Sequence, residues 1–251
     1  MVLATRASDR TLVAEGDYVG QKTDADKPLA HWKLWRLGDG GYEVVDLSAK
    51  NAPLTQVFRF DAQFLPMGYS FKIASLSKEQ AALHPDAAAA IRPVSVSCQY
   101  GTHELRCEAQ YQGQKSTASI PAKQPYVFIP GELYPLDFAW FLTGVVRLTE
   151  RAGPANDGVN VYAMTDRKGG HNQIALTPDI PIKLAFIGEE TAQVMGRTQA
   201  VRRYESRGLG ELSVLRVTPQ GLVASISGKS GSGEGFGIGN YRQYEPWGPA
   251  H

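Results

Sequence analysis

The residues of this chain whose types could carry chemistry are two cysteines, five histidines, a glycine-framed lysine and a few acidic pairs. His31, His84, His103, His171 and His251 never fall at the i, i+2 or i, i+4 spacings that bring two imidazoles onto one metal ion from a strand or a helix. The pattern therefore assigns no metal ligand. Gly228-Lys229-Ser230 ends like a phosphate-binding loop, but the glycine required five positions earlier is replaced by Val223. Gly231, Gly233, Gly235, Gly237 and Gly239 match no dinucleotide fingerprint, and no helical pattern follows them, so a flexible loop or a glycine-bearing strand is expected. A nucleophile elbow of the form G-x-S-x-G does not occur. Glu189-Glu190 sits in a turn-like, solvated context. These observations nominate no catalytic residue and no cofactor.

The cysteines are more informative. Cys98 and Cys107 lie in two alternating stretches either side of Gly101-Thr102-His103-Glu104. If Thr102-His103 forms a two-residue hairpin loop, Val94 faces Tyr111, Val96 faces Ala109, Cys98 faces Cys107 and Tyr100 faces Leu105. All eight then share one face, because strand side chains alternate with period two. The other face carries Ser95, Ser97 and Gln99 against Glu104, Arg106, Glu108 and Gln110, which is solvent chemistry. Directly opposed residues are close enough for a disulfide, and such a bond implies the periplasm or the cell exterior. Two buried free thiols are the alternative.

Charge and length bound the rest. Lys plus Arg number 26 against 25 for Asp plus Glu, so nothing in the net charge favours a nucleic acid. Arg197, Arg202, Arg203 and Arg207 form the densest basic run, and on strands they divide between two faces. No apolar run reaches the length of a transmembrane segment. The beginning, Met1-Val2-Leu3, is interrupted by Arg6, Asp9 and Arg10, so any export leader lies outside this sequence.

The elements around the cysteines read as mainly β. Leu29–Leu37 and Tyr42–Leu47 flank Gly38-Asp39-Gly40-Gly41, a strong hairpin signal. In Met67–Ile73, Met67, Tyr69, Phe71 and Ile73 alternate with small or polar residues. Residues 75–92 are Ala-rich and fit a surface helix or an insertion. A connector with prolines at 121, 125, 130 and 135 leads to Phe138–Leu148, where Phe138, Phe141, Leu142 and Val145 recur at helical spacing behind Asp137 as N-cap. With little polar face, this helix must be covered by protein. The pattern predicts one domain over 1–251, with an N-terminal strand and loop region at 1–27 and a glycine-rich tail at 228–251. It predicts about eleven strands in a large curved antiparallel sheet or incomplete barrel, with one short apolar helix on the concave face.

In element order the chain resembles a family of bacterial exported proteins of unknown function whose curved sheet is related to the LolA/LolB lipoprotein carriers. The segments carrying the resemblance are Phe60–Ser70, Pro135-Leu136-Asp137 ahead of the helix, Gly196–Tyr204, Leu212–Val217 and Pro219–Val223. The 75–92 insertion, the cysteine hairpin and the glycine-rich tail depart from that plan. The resemblance implies an apolar ligand held between helix and sheet, with Phe138, Phe141, Leu142 and Val145 as one wall and Met67, Tyr69 and Phe71 as the other. The expectation is thus a non-catalytic periplasmic or extracellular protein binding a lipid or another apolar molecule. A carbohydrate- or envelope-binding module would instead expose aromatics such as Trp32 or Trp247. A hydrolase would bring two or three polar residues together in a cleft.

Overall fold

A computed structural model describes residues 9–20, 30–48, 54–74, 94–111, 113–129, 138–153, 157–166, 174–207, 213–228 and 235–248. The proposed helix or insertion at 75–92, the proposed N-cap Asp137 and the glycine run at 229–234 lie outside these residues. Among the described residues there are fifteen strands in one sheet, and one helix. The count of about eleven was about four too low, because strands such as Gln114–Pro121 and Phe236–Gln243 lack the apolar alternation on which it rested.

The first half is a meander. β1 (Arg10–Gly20), β2 (Ala30–Leu37), β3 (Tyr42–Ser48), β4 (Leu54–Phe60), β5 (Pro66–Ile73), β6 (Val94–Tyr100), β7 (Glu104–Tyr111) and β8 (Gln114–Pro121) pair in sequence order. The second half is a mirror of it. β9 (Tyr126–Ile129), β10 (Val159–Asp166), β11 (Ile174–Val194), β12 (Arg197–Arg207), β13 (Ser213–Val217), β14 (Val223–Gly228) and β15 (Phe236–Gln243) also pair in order. The halves are joined by an antiparallel ladder between β1 and β15, which pairs Tyr18 with Ile238. β9 and β10 are parallel, which requires a crossover, and α1 (Phe138–Ala152) supplies it.

This order forces the sheet to bend. Fifteen strands at ~4.8 Å spacing would put the outer strands roughly 67 Å apart if laid flat. Yet the outer strands β8 and β9 are separated by only residues 122–125, and β11 lies alongside β8. The sheet therefore curls until its ends come near each other. α1 lies within the bend, since it meets both meanders. Trp140 touches Trp32 of β2 and Phe60 of β4, while Thr143 Oγ1 accepts from the Val223 amide of β14 at 3.1 Å.

The buried face of α1 explains its position. Ala139, Trp140, Leu142, Val145 and Val146 have no exposed surface, and Phe141 is 8% exposed. Gly153, with φ +75°, ends the helix by donating its amide to the Thr149 carbonyl. Gly144 allows the closest approach: a Cβ there would stand 2.7 Å from Pro66 Cγ. Gly144→Ala is accordingly expected to lower stability by about 1–3 kcal/mol through overpacking, despite alanine's better helix propensity. A denaturant midpoint equal to or above wild type would show that Pro66 yields without cost.

The cysteine hairpin forms in the expected register. Val94 pairs with Tyr111, Val96 with Ala109, Cys98 with Cys107 and Tyr100 with Leu105. The Gly101 amide donates to the Glu104 carbonyl at 2.9 Å, which closes the two-residue loop. Cys98 and Cys107 are disulfide-bonded, with a Cα separation of 4.1 Å, and both are buried.

Candidate functional site

The residues expected to wall a cavity do not all serve together. Phe141, Leu142 and Val145 are buried on α1, and Tyr69 and Phe71 are each 3% exposed on β5. Phe138 opens the helix, but its side chain lies outside the described residues. Between the helix and this part of the sheet, the void bordered by Phe58, Phe60, Phe128, Trp140 and Phe141 is about 10 Å³. A cavity needs about 10–15 Å³ of water-accessible space to hold one water molecule, so there is no room for a ligand and these side chains pack against one another as core.

Met67 is placed differently, at 52% exposure. The cause is a register shift: Arg59 pairs with Gly68, but Phe60 pairs with Pro66, so Met67 is the extra residue of a bulge. It leaves the face shared by Tyr69 and Phe71 and turns outward at the mouth of the bend.

That mouth holds a cleft of about 590 Å³, within the range of small-molecule sites. One side is the last turn of α1, with Leu148, Arg151 and Ala152. The other is built from Leu65, Pro66 and Met67 before and within β5, with Tyr100, Gly101 and Thr102 at the cysteine hairpin and Pro125 and Tyr126 leading into β9. A second opening of about 490 Å³, bordered by Gln63, Leu65, Arg147, Glu150 and Arg151, adjoins it across Leu65 and Arg151.

The walls are fixed by local hydrogen bonds. Asp61 Oδ1 accepts from the amides of Gln63 and Leu65, each at 2.9 Å, which shapes the β4–β5 loop. Phe64 takes φ +62° in this loop, a costly conformation for a bulky residue. Its ring is held against Tyr42, Phe60 and Trp247, with centroids 4.3, 5.5 and 5.3 Å away. Across the cleft, the Tyr126 hydroxyl donates to the carbonyls of Gly101 at 2.8 Å and Glu104 at 3.0 Å. Burial is the main reason its pKa is pushed up to about 12, so the hydroxyl stays a donor.

Charge at the cleft is unequally satisfied. Glu150 on α1 accepts from Arg147 at 2.8 Å, from the Tyr204 hydroxyl at 2.7 Å and from Arg202. Arg147 also donates to the Gln63 carbonyl. Arg202 thus belongs to a helix–sheet tie, while Arg203 pairs with Glu190 and Glu205, and Arg197 lies over the Tyr241 ring. Arg197, Arg202 and Arg203 are thus spent on separate partners. Arg151 is exposed at the end of α1, and among the described residues it has no hydrogen-bond or ion-pair partner.

Among the described residues, neither exposed aromatics nor a metal cluster makes a competing site. Trp32 has no exposed surface and Trp247 is 8% exposed, so neither offers a stacking platform. Among the described residues, no group of three or more His, Cys, Asp or Glu could hold a metal ion, and no helix is long and apolar enough to cross a membrane. Sequence reasoning missed Leu65, Leu148 and Arg151; the one signal available was the placement of Leu148 and Arg151 three positions apart on one helix face. No family model, curated protein or solved structure matches the chain.

Proposed function

We propose that this chain is a non-catalytic periplasmic or extracellular binding protein that holds a lipid or other apolar molecule between α1 and the sheet. The binding place is the mouth of the bend, where Leu65, Pro66, Met67 and Leu148 border the 590 Å³ cleft. The exposed Met67 carries the reading: a flexible, polarizable side chain is presented beside other apolar groups instead of being packed inside. The buried disulfide between Cys98 and Cys107 supports an oxidising compartment. The likeness in element order to the LolA/LolB-related plan supports the same class of ligand.

Native mass spectrometry of gently purified protein, followed by organic extraction, tests this. A reproducible apolar adduct is expected on wild type, and Met67→Glu and Leu148→Glu are expected to reduce its occupancy at least tenfold while the far-UV spectrum is kept. An apo mass with no uptake from a panel of fatty acids and phospholipids would remove the proposal. Phe141→Ala, which alters the packed interior, serves as a contrast because its effect falls on stability first.

A further inference from the structure

We infer that the cleft selects an anionic single-chain amphiphile, with its head on Arg151 and its chain over Leu148 and Met67. The inference rests on the cleft being the binding site and adds the charge of what binds there. Arg147, Leu148 and Arg151 lie at i, i+1 and i+4, so Arg147 and Arg151 share a helix face and Leu148 sits beside Arg151 three residues before it. Around them are three guanidinium groups, of Arg147, Arg151 and Arg202, against two carboxylates, Glu150 on the helix and Asp61 on the opposite wall. Glu150 is already engaged by Arg147, Arg202 and Tyr204. The carboxylate of Asp61 on the opposite wall is bound through Oδ1 to two loop amides. The positive charge left over is on Arg151, which with Leu65 borders both openings.

An exposed guanidinium at a helix C-terminus is already favourably placed with respect to the helix dipole. Its planar donor fork matches a carboxylate or phosphate in bidentate fashion. The apolar part of the lining begins beside it, at Leu65 and Leu148, and continues to Pro66 and Met67. An anion on Arg151 therefore directs an attached chain along that strip. A neutral chain would gain the apolar contact but leave Arg151 unmatched.

Titration calorimetry with decanoate, decyl phosphate and decanol, below their aggregation limits, tests this on the full chain. Wild type is expected to bind the two anions at least tenfold tighter than decanol. Arg151→Gln is expected to abolish that preference without changing the melting temperature, while Met67→Glu weakens decanol and both anions. If Arg151→Gln keeps the preference, or wild type binds decanol as well as the anions, the inference is overturned and the cleft reading stands. If none of the three binds, the cleft reading falls with it. Flotation with phosphatidylglycerol vesicles in the absence of monomer binding would overturn it in favour of a membrane surface.

Discussion

Trp140→Ala is expected to remove about 3–5 kcal/mol of folding stability, the range for truncating a fully buried large aromatic. Trp140 has no exposed surface and is where α1 meets the first meander. Its ring stands edge-on to Trp32, with centroids 5.2 Å apart and planes at 77°, and it touches Phe60 and Trp247 at 6.2 Å each. Alanine would leave a cavity bounded by rigid rings and by sheet backbone, which cannot collapse to fill it. Trp140→Phe should cost less. It keeps an aromatic body and removes an indole N–H for which the described residues offer no hydrogen-bond acceptor. Urea unfolding followed by far-UV circular dichroism gives the comparison. An alanine variant within 1 kcal/mol of wild type would mean that α1 is not anchored through this ring.

Loss of the disulfide has the next largest expected effect. Cys98 and Cys107 close a short loop, with a sequence separation of 9. For a ring of that size the loss of unfolded-state entropy is worth about 2–3 kcal/mol. Both cysteines are in the core, so Cys98→Ala with Cys107→Ala also gives up a small amount of packing. Wild type should therefore unfold at lower denaturant when reductant is added, and the double variant should ignore reductant. Two free thiols titrated in the non-reduced, denatured wild type would show that the bond does not form.

Where local pattern and fold agreed, the residues were doing one thing at a time. In the cysteine hairpin, every second residue from Val94 to Tyr100 and from Leu105 to Tyr111 is core-facing, so one register satisfied all of them. α1 was legible for the same reason, from Phe141, Leu142 and Val145. β8 was not, because Gln114–Pro121 has one neighbouring strand and a largely exposed or half-exposed surface, which removes the apolar alternation. β9 hides among prolines. β11 looked much shorter because Pro178 and Pro181 lack the N–H that a central strand normally uses. β15 looked like a tail because of its glycines, yet Gly239 sits close under a neighbouring side chain: a Cβ there would lie 3.0 Å from Val19 Cγ1 on β1, so the valine would have to shift. Such packing between strands is a tertiary demand, invisible to periodicity.

The candidate site was less legible than the fold. Met67 was assigned correctly to a strand with Tyr69 and Phe71, but the bulge opposite Phe60 reverses its facing, and no local residue pattern announces that shift. The cleft is assembled from α1, the β4–β5 loop, the cysteine hairpin and the segment before β9, which meet only because the sheet bends round. Arg151 stands out only once its neighbours' partners are known.

The pairing of β1 with β15 sets a timetable for synthesis. β1 is among the earliest described strands to leave the ribosome and β15 is the last. Until β15 arrives, β1 and β14 each present an open edge in the middle of the future sheet, where an unrelated strand could add on. The two meanders cannot be stitched together before β15 has been made. A chain cut short before β15 would expose both edges for as long as it survived.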